Sequence, residues 1–397
     1  MDFVTRLRNA PRELKLFAAA SLMMGMAYSI YDSTFNNFLD FRFDLSGFQR
    51  SFLEFPRELP GFLVVFVSAL LWFLCSRRLS AASLLMSAVG AILIGFASAS
   101  YEIMVLFLFI YSMGQHLMMP LASTIGMELA RQGQTGRRLG QLNAIRNFAA
   151  ILGSFLVFVG FRFLDFRFEH SFALTALGLS LAAALMFAMK RDAVKRPRAF
   201  LRLHREYSLF YWLNVLSGSR KQIFITFAPW VIVTIFQQPT ATLATLFTIG
   251  GVIGILFQPL LGRAIDRFGE KRILQVEAIL LVFVCLGYGF AKSIFAEQTA
   301  LVVTFACFLF DQMLFSVGMA RSMYMKKIAK EDADVQPALT AGVTIDHIFS
   351  IGLALLGGVI WNRFGFQYVF LAGVFIAALN FIAASRIRIP LKKEPLS

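Results

Sequence analysis

The chain has 397 residues, of which 58% are hydrophobic and only 15% are charged. A soluble protein of this length carries about 25% charged residues, and a disordered chain has few apolar ones, so the composition excludes both classes. Cys75, Cys285 and Cys307 are an odd number of isolated thiols, which excludes a disulfide scaffold and a cysteine metal site. An integral membrane protein remains, and the net charge of +15 has to be explained in that context.

Twelve apolar segments follow one another along the chain, each long enough to cross the hydrocarbon core of a bilayer as a helix. They are too long, and too rich in leucine, phenylalanine and alanine, for the alternating strands of a membrane barrel. The sequence therefore predicts an all-α integral membrane protein with twelve transmembrane helices. The predicted spans are 14–39, 48–73, 79–99, 102–128, 138–160, 169–189, 206–236, 240–261, 272–291, 298–325, 338–361 and 366–386.

The basic residues are distributed unevenly between the two sides of the predicted membrane. If the segment before the first span is cytoplasmic, 27 of the 38 lysines and arginines lie in cytoplasmic segments, six lie opposite and five lie within spans. This excess obeys the positive-inside rule with an even number of spans. The sequence thus predicts a multi-pass protein of the cell (inner or plasma) membrane with both termini in the cytoplasm. The positive charge requires no nucleic-acid partner.

The longest basic loop, residues 190–205, follows the sixth span and divides the spans six and six. The two parts also resemble each other, since Gly25 in the first span has a counterpart in Gly218 in the seventh. We therefore predict an N-terminal six-helix bundle at 1–189, a cytoplasmic linker, and a C-terminal six-helix bundle at 206–397. Two such repeats related by an axis along the membrane normal imply a substrate site between them.

Ten ionisable residues lie within the predicted spans. At about 2.5–3.5 kcal/mol each on insertion scales, they would together cost roughly 30 kcal/mol if unpaired, which exceeds the about 5–15 kcal/mol stability of a typical fold. They must therefore pair with one another or face a hydrated cavity. The ten are Asp32, Glu54, Arg57, Glu58, Arg146, Arg220, Lys221, Asp311, Arg321 and Asp346. Arg321, together with Glu277, lies near a cytoplasmic span end, where we expect an interfacial position.

The second span carries a cluster of charges beside two prolines. Glu54 and Glu58 are four residues apart, and Arg57 is three residues after Glu54, so the three share a helix face. Pro56 and Pro60 open backbone hydrogen bonds there. One interpretation is an outer gate or a proton-accepting carboxylate. A structural ion-pair cluster at a kinked helix start explains the pattern equally well.

Spans eleven and five carry polar residues at matching depths. Asp346 and His347 lie about nine residues from the cytoplasmic end of their span, and either can carry a proton. Arg146 of the fifth span can bind an anionic substrate group or pair with a carboxylate, and pairing is the commoner role of an intramembrane arginine.

The loop between spans eight and nine contains the residues that resemble a known family. Glycine is followed four residues later by Asp-Arg, then by another glycine and two basic residues. These residues are Gly262, Asp266, Arg267, Gly269, Lys271 and Arg272. The pattern resembles the cytoplasmic loop motif of the major facilitator superfamily, in which the loop acts as a latch for the outward-open state. Here the aspartate can cap a neighbouring helix and the basic residues can contact anionic lipid.

The resemblance implies a central cavity lined by spans one, four, seven and ten. Each of these spans carries polar residues near its middle, as a midplane substrate site requires. The alternative is a structural polar network, such as a fixed Asp32–Lys221 pair. The candidate substrate-binding residues are Tyr28, Tyr31, Asp32, Gln115, His116, Lys221, Gln222, Asp311 and Gln312, with Arg146 as a weaker candidate.

These features predict a secondary active transporter that moves a small zwitterionic or amphiphilic organic solute by alternating access. Protons are the expected co-ion, because no ATP-binding motif is present and titratable groups are available. The candidate proton carriers are Asp32, Glu54, Glu58, Asp346 and His347. We expect a monomer with no cofactor and no metal.

Other functions fit the same pattern of spans. A proton-independent facilitator, a drug exporter and a lipid exporter would all have the same fold. A membrane-embedded enzyme is disfavoured, because the sequence lacks a histidine-rich metal cluster or a Ser-His-Asp set at one leaflet.

Overall fold

The computed structural model describes residues 10–43, 53–191, 203–238 and 240–389 of the chain. These residues form twelve consecutive membrane-length helical segments, which confirms the predicted all-α fold. In chain order they are α1 Arg12–Phe43, α2 Glu54–Leu70, α3 Ser76–Ala97, α4 Tyr101–Glu128, α5 Thr135–Phe163, α6 Phe168–Ala188, α7 at 208–235, α8 at 240–268, α9 at 270–294, α10 Glu297–Ile328, α11 Asp332–Phe364 and α12 Phe366–Ser385.

Apolar length accounts for most of these helices. Within the described residues, eight helices are long and apolar enough to cross a membrane, if the continuous run through α8 and α9 is counted as one. Gly269 separates these two helices with φ 81° and ψ 160°, a backbone conformation that glycine adopts without a steric penalty. The glycine of the loop motif therefore lies at the boundary between α8 and α9.

The seventh helix is irregular near its middle. It begins as the α-helix Ser208–Gln222 and then forms two π-helical turns, Ile223–Phe227 and Val231–Ile235. Pro229 lies in the three-residue α-helical segment between them. Proline has no N–H group and clashes with the preceding turn, so it removes one bond of the regular helical hydrogen-bond pattern at this point. Turns of this kind are common at functional sites in helices.

The chain forms two compact units. The first comprises the described residues of Met1–Gln132, Arg138–Leu201 and Gly251–Pro259, and the second comprises those of Gly133–Arg137, Arg202–Gly250 and Leu260–Ser397. In the first unit α3 packs against α4 and α6, and α6 also packs against α1. In the second unit α7 packs against α11 and α12. Each unit therefore has its own buried helix contacts, and each positions a different set of the polar residues.

Candidate functional site

Asp32 belongs to the first unit, lies near the middle of α1, and is exposed. Arg57 of α2 is the positive charge that acts on its carboxylate. Tyr28 lies one helical turn before it and is half-buried. An accessible carboxylate at the middle of a membrane span is stable only where water, a ligand or a counter-charge meets it. Asp32 is therefore a side chain that can meet a solute or a proton.

Three tyrosines pack together beside this carboxylate. The rings of Tyr31 and Tyr111 are stacked with centroids 3.8 Å apart, and Tyr28 meets Tyr111 edge-on at 6.2 Å. Tyr31 and Tyr111 are only 3% and 2% exposed, and within the described residues their hydroxyls have no hydrogen-bond partner. Tyr31 therefore faces the core of the unit and does not share the exposed position of Asp32. Tyr111 was not among the predicted site residues, although it lies one turn before Gln115 on the same face of α4.

The fourth helix supplies a half-buried Gln115 and a buried His116. The Nδ1 atom of His116 lies 2.9 Å from the carbonyl oxygen of Ser112, so a proton on Nδ1 can be donated to that oxygen. The hydroxyl of Ser112 in turn donates to the carbonyl oxygen of Arg57 at 2.5 Å. A carboxylate oxygen of Glu58 lies within 4.8 Å of a ring nitrogen of His116. The hydroxyl of Ser112 thus connects α4 with the charged start of α2. The side chain of Glu54 lies outside the described residues.

Arg146 of α5 lies at a close contact between α1 and α5. A Cβ atom added to Gly25 would lie 2.7 Å from the carbonyl oxygen of Arg146, so only glycine fits there. The half-buried guanidinium of Arg146 donates to the Oδ1 atom of Asn143 and lies in the electrostatic range of Tyr28. The partner of Arg146 in this hydrogen bond is a neutral amide on its own helix. The bond therefore does not cancel the positive charge of the guanidinium.

The second unit repeats this contact with different side chains. A Cβ atom added to Gly218 of α7 would lie 2.4 Å from the carbonyl oxygen of Asp346 of α11. Three residues after each glycine, the first unit has Tyr28 and the second has Lys221. The Nζ atom of Lys221 lies 2.8 Å from the Oδ2 atom of Asp346, and the two side chains are 24% and 17% exposed. A close helix contact thus presents a partly accessible ion pair.

Each member of this ion pair has a polar residue next to it in the sequence, His347 after Asp346 and Gln222 after Lys221. The Nδ1 atom of His347 lies 3.8 Å from the Oδ2 atom of Asp346 and 2.7 Å from the carbonyl oxygen of Val343. Gln222, next to Lys221, donates to the hydroxyl of Thr226 at 2.7 Å. Lys221 and Asp346 therefore form a partly accessible pair of opposite charges next to His347.

Asp311 lies in a different environment. It is 2% exposed, and its Oδ1 atom lies 2.5 Å from a guanidinium nitrogen of Arg220. Arg220 also lies 3.9 Å from Glu277, which is 3.2 Å from Arg321. These four residues, hereafter the buried quartet, hold two positive and two negative charges. Mutual neutralisation of this kind is what a low-dielectric interior demands of buried ions.

The buried quartet corrects two expectations from the sequence. Glu277 and Arg321 were expected at the membrane interface, but they are 1% and 7% exposed and are buried inside the unit. Asp311 was expected beside Lys221 in a ring of accessible groups, but Arg220 neutralises it in the core. Gln312, the next residue, is half-buried. Arg220 and Lys221 lie about 100° apart around α7, so adjacent cations contact different helices.

The loop motif adopts a capping geometry. The two carboxylate oxygens of Asp266 each accept a backbone hydrogen bond of 2.7 Å, from the N–H groups of Gly136 and Arg137 in the first turn of α5. A negative charge at a helix N-terminus is favoured by the helix dipole as well as by these bonds. A Cβ atom added to Gly262 would lie 2.1 Å from the carbonyl oxygen of Gly136, so the backbones are in contact.

The rest of the motif is basic and accessible. Arg267, Lys271 and Arg272 are exposed, as residues that contact anionic lipid must be. Glu270, directly after Gly269, is fully buried and lies 2.6 Å from the Nζ atom of Lys327 of α10. The loop therefore forms one ion pair with α10 and caps the start of α5, and its basic residues Arg267, Lys271 and Arg272 are exposed.

A family model described as Major Facilitator Superfamily matches residues 17–336. The chain belongs to this superfamily. As a superfamily member it is a multi-pass membrane transporter, and the motif, the twelve helices and the apolar segments agree with that assignment. No curated protein matches the chain in a sequence search.

Solved structures of other superfamily transporters share the fold. The Escherichia coli fucose:proton symporter FucP matches with a TM-score of 0.73 and 15% identity, covering 94% of this chain and 97% of that chain. The proton:xylose symporter XylE gives 0.66 and 15%, covering 94% of each chain. The human organic anion transporter MFSD10 (TETRAN) gives 0.64 and 14%, covering 94% and 99%. At these identities the similarity establishes the fold of this superfamily member but does not identify its substrate, which has to be inferred from the site residues.

Proposed function

We propose that this superfamily member is a proton-coupled secondary transporter of a small zwitterionic or amphiphilic organic solute, working by alternating access. The observation that carries the proposal is the division of the mid-span charges by exposure. The buried quartet is neutralised within the core, whereas Asp32 and the Lys221–Asp346 pair are accessible. Accessible charges in membrane spans are costly, and the costs are offset when those charges bind a solute or an ion.

The signs of the accessible charges support a zwitterionic or amphiphilic solute. In the first unit Asp32 can bind a cationic group, and Tyr28 offers an aromatic edge beside it. Arg146 of the same unit is a candidate for an anionic group, and in the second unit Lys221 is another. Gln115, Gln222 and Gln312 are half-buried amides that can donate or accept hydrogen bonds.

The Lys221–Asp346 pair supports proton coupling. Protonation of Asp346 would break the 2.8 Å ion pair and change what Lys221 binds, so one titration would alter solute affinity. Asp32 is the second candidate carrier, and Glu58, His116 and His347 are further titratable groups. Two structural neighbours are described as proton symporters, of fucose and of xylose, which supports the same coupling here. The distribution of basic residues supports a cell membrane location with cytoplasmic termini.

The test begins with the solute. Purified protein is screened for thermal stabilisation by metabolites and amphiphiles, because a bound ligand raises apparent stability whatever the mechanism. Each stabilising compound is then tested for uptake into proteoliposomes with and without an inward proton gradient. Uptake that the gradient accelerates is expected. Equal rates in both conditions would favour the proton-independent facilitator.

The matched variants are Asp346→Asn and Asp332→Asn, which make the same chemical change on α11. Asp346→Asn should abolish gradient-driven uptake and keep solute exchange without a gradient, because the pair can no longer switch. Asp332 is exposed in the first turn of α11 and should tolerate the change. Full gradient-driven uptake by Asp346→Asn would remove it from the coupling role.

A further inference from the structure

The first unit contains a cavity away from the polar residues discussed above. It has a volume of about 350 Å³ and lies where α1 and α3 end and α6 begins. The helices α1, α3 and α6 reach this end of the unit together because consecutive spans run in opposite directions. Its lining residues are Phe38, Phe41, Arg42, Ile94, Gly95, Phe96, Ala97, Ser98, Ala99, Phe168 and Glu169.

The cavity has an apolar floor and an aromatic rim. Ile94 and Phe38 form the buried part, at 0% and 5% exposure. Phe41 and Phe96 are 77% and 61% exposed. The ring of Phe168 lies 5.8 Å from Phe38 and 5.3 Å from Phe41, so three rings form a continuous wall. At the end of membrane spans, exposed phenylalanines of this kind meet lipid acyl chains and glycerol groups.

Two opposite charges line the same cavity. Arg42 and Glu169 are both exposed, and among the described residues neither forms an ion pair or a hydrogen bond through its side chain. No guanidinium nitrogen of Arg42 lies within 4.0 Å of a carboxylate oxygen of Glu169, so the two side chains do not form an ion pair with each other. A guanidinium binds phosphate in a bidentate manner, and a carboxylate binds an ammonium group. The lining therefore offers a site for each end of a dipolar headgroup.

We propose that this cavity binds the headgroup of a zwitterionic phospholipid, with Arg42 on the phosphate and Glu169 on the ammonium group, and the phenylalanine rim against the lipid chains. A lipid is the occupant because the cavity lies at the helix ends of a membrane protein, at the level where phospholipid headgroups lie. A zwitterionic headgroup fits because an anionic one would leave Glu169 facing a negative charge. The surrounding aromatic rings also favour a cationic group by cation–π attraction. This proposal is independent of the transported solute.

Native mass spectrometry of the full chain in detergent, titrated with short-chain phosphatidylethanolamine or phosphatidylglycerol, tests the proposal. Wild-type protein should retain phosphatidylethanolamine more tightly than phosphatidylglycerol. Arg42→Gln should weaken binding of both lipids about tenfold, while Arg42→Lys, which keeps the charge, should lose less. Glu169→Gln should remove the preference for phosphatidylethanolamine, because phosphatidylglycerol then meets no repulsion.

The matched control is Arg162→Gln, at an exposed arginine in the last turn of α5 that does not line the cavity. It should leave the binding of both lipids unchanged. Elution volume and helical circular dichroism establish that each variant is folded. Equal binding of the two lipids by wild-type protein, or equal losses in Arg42→Gln and Arg162→Gln, would overturn the proposal.

Discussion

Removal of Arg220 tests whether the buried quartet is structural. Arg220→Met keeps the apolar stem and deletes the cation, so Asp311 loses its 2.5 Å partner and the cluster changes from neutral to −1. Removing one member of a buried pair costs about 3–5 kcal/mol, because the remaining charge is uncompensated in a low-dielectric environment. That is a large fraction of a stability of about 5–15 kcal/mol. We expect a marked fall in thermal stability.

The double variant Arg220→Met with Asp311→Asn restores neutrality. It should recover most of the lost stability, because Glu277 and Arg321 still neutralise each other at 3.2 Å. The control is Lys330→Met, which deletes a cation from an exposed pair with Glu206. The side chains of that pair are 67% and 55% exposed, so the change should cost about 0–1 kcal/mol.

The assay is thermal unfolding of purified protein in one detergent at fixed concentration, followed by intrinsic fluorescence. Arg220→Met should unfold well below Lys330→Met, and the double variant should lie between Arg220→Met and wild type. The reasoning would be refuted if Arg220→Met unfolded at the same temperature as Lys330→Met or above it. It would also be refuted if the double variant unfolded at no higher a temperature than Arg220→Met. A stable Asp311→Asn variant without gradient-driven uptake would instead return Asp311 to the transport site.

Three further outcomes are expected. Asp266→Ala removes both backbone caps from the start of α5 and should cost about 0.5–2 kcal/mol; hydrogen exchange at the Gly136 amide should accelerate, and unchanged exchange would contradict the capping role. Gly218→Ala places a methyl group 2.4 Å from a carbonyl oxygen of α11 and should cost about 1–3 kcal/mol in thermal unfolding while slowing uptake. Gly352→Ala is its control, since an added Cβ there meets nothing within 4 Å, and equal effects of the two would sink the argument. Asp32→Asn should reduce gradient-driven uptake of the solute found by the stability screen; full retention would remove Asp32 from the site.

The sequence predicted the helices better than it predicted their contacts. The spans were found because each must carry enough apolar residues to cross the bilayer, which is a local property. The loop motif likewise placed Gly269 at the break between α8 and α9, because a glycine in a short loop marks a backbone turn. The seventh span was predicted as one apolar segment, and nothing in its apolar length indicated the two π-helical turns on either side of Pro229.

It was much harder to predict from the sequence which charged residues form ion pairs with each other. Arg220 and Lys221 are neighbours in sequence, and depth alone grouped Lys221 with Asp311. In the structure Arg220 contacts Asp311, and Lys221 contacts Asp346, 125 residues away along the chain. The 100° rotation between successive helical residues was the signal that could have separated the two. Tyr111 could have been found from its position one turn before Gln115.

The sequence by itself determined that this chain is an all-α membrane protein, how many membrane-length helices its described residues form, and which family its loop motif resembles. These properties follow from the apolar length of each segment and from residues close together in the chain. Only the tertiary structure decided which charges are neutralised in the core and which stay accessible. That division depends on the rotation of each helix and on partners far away in sequence, and neither is encoded in the composition of a single span.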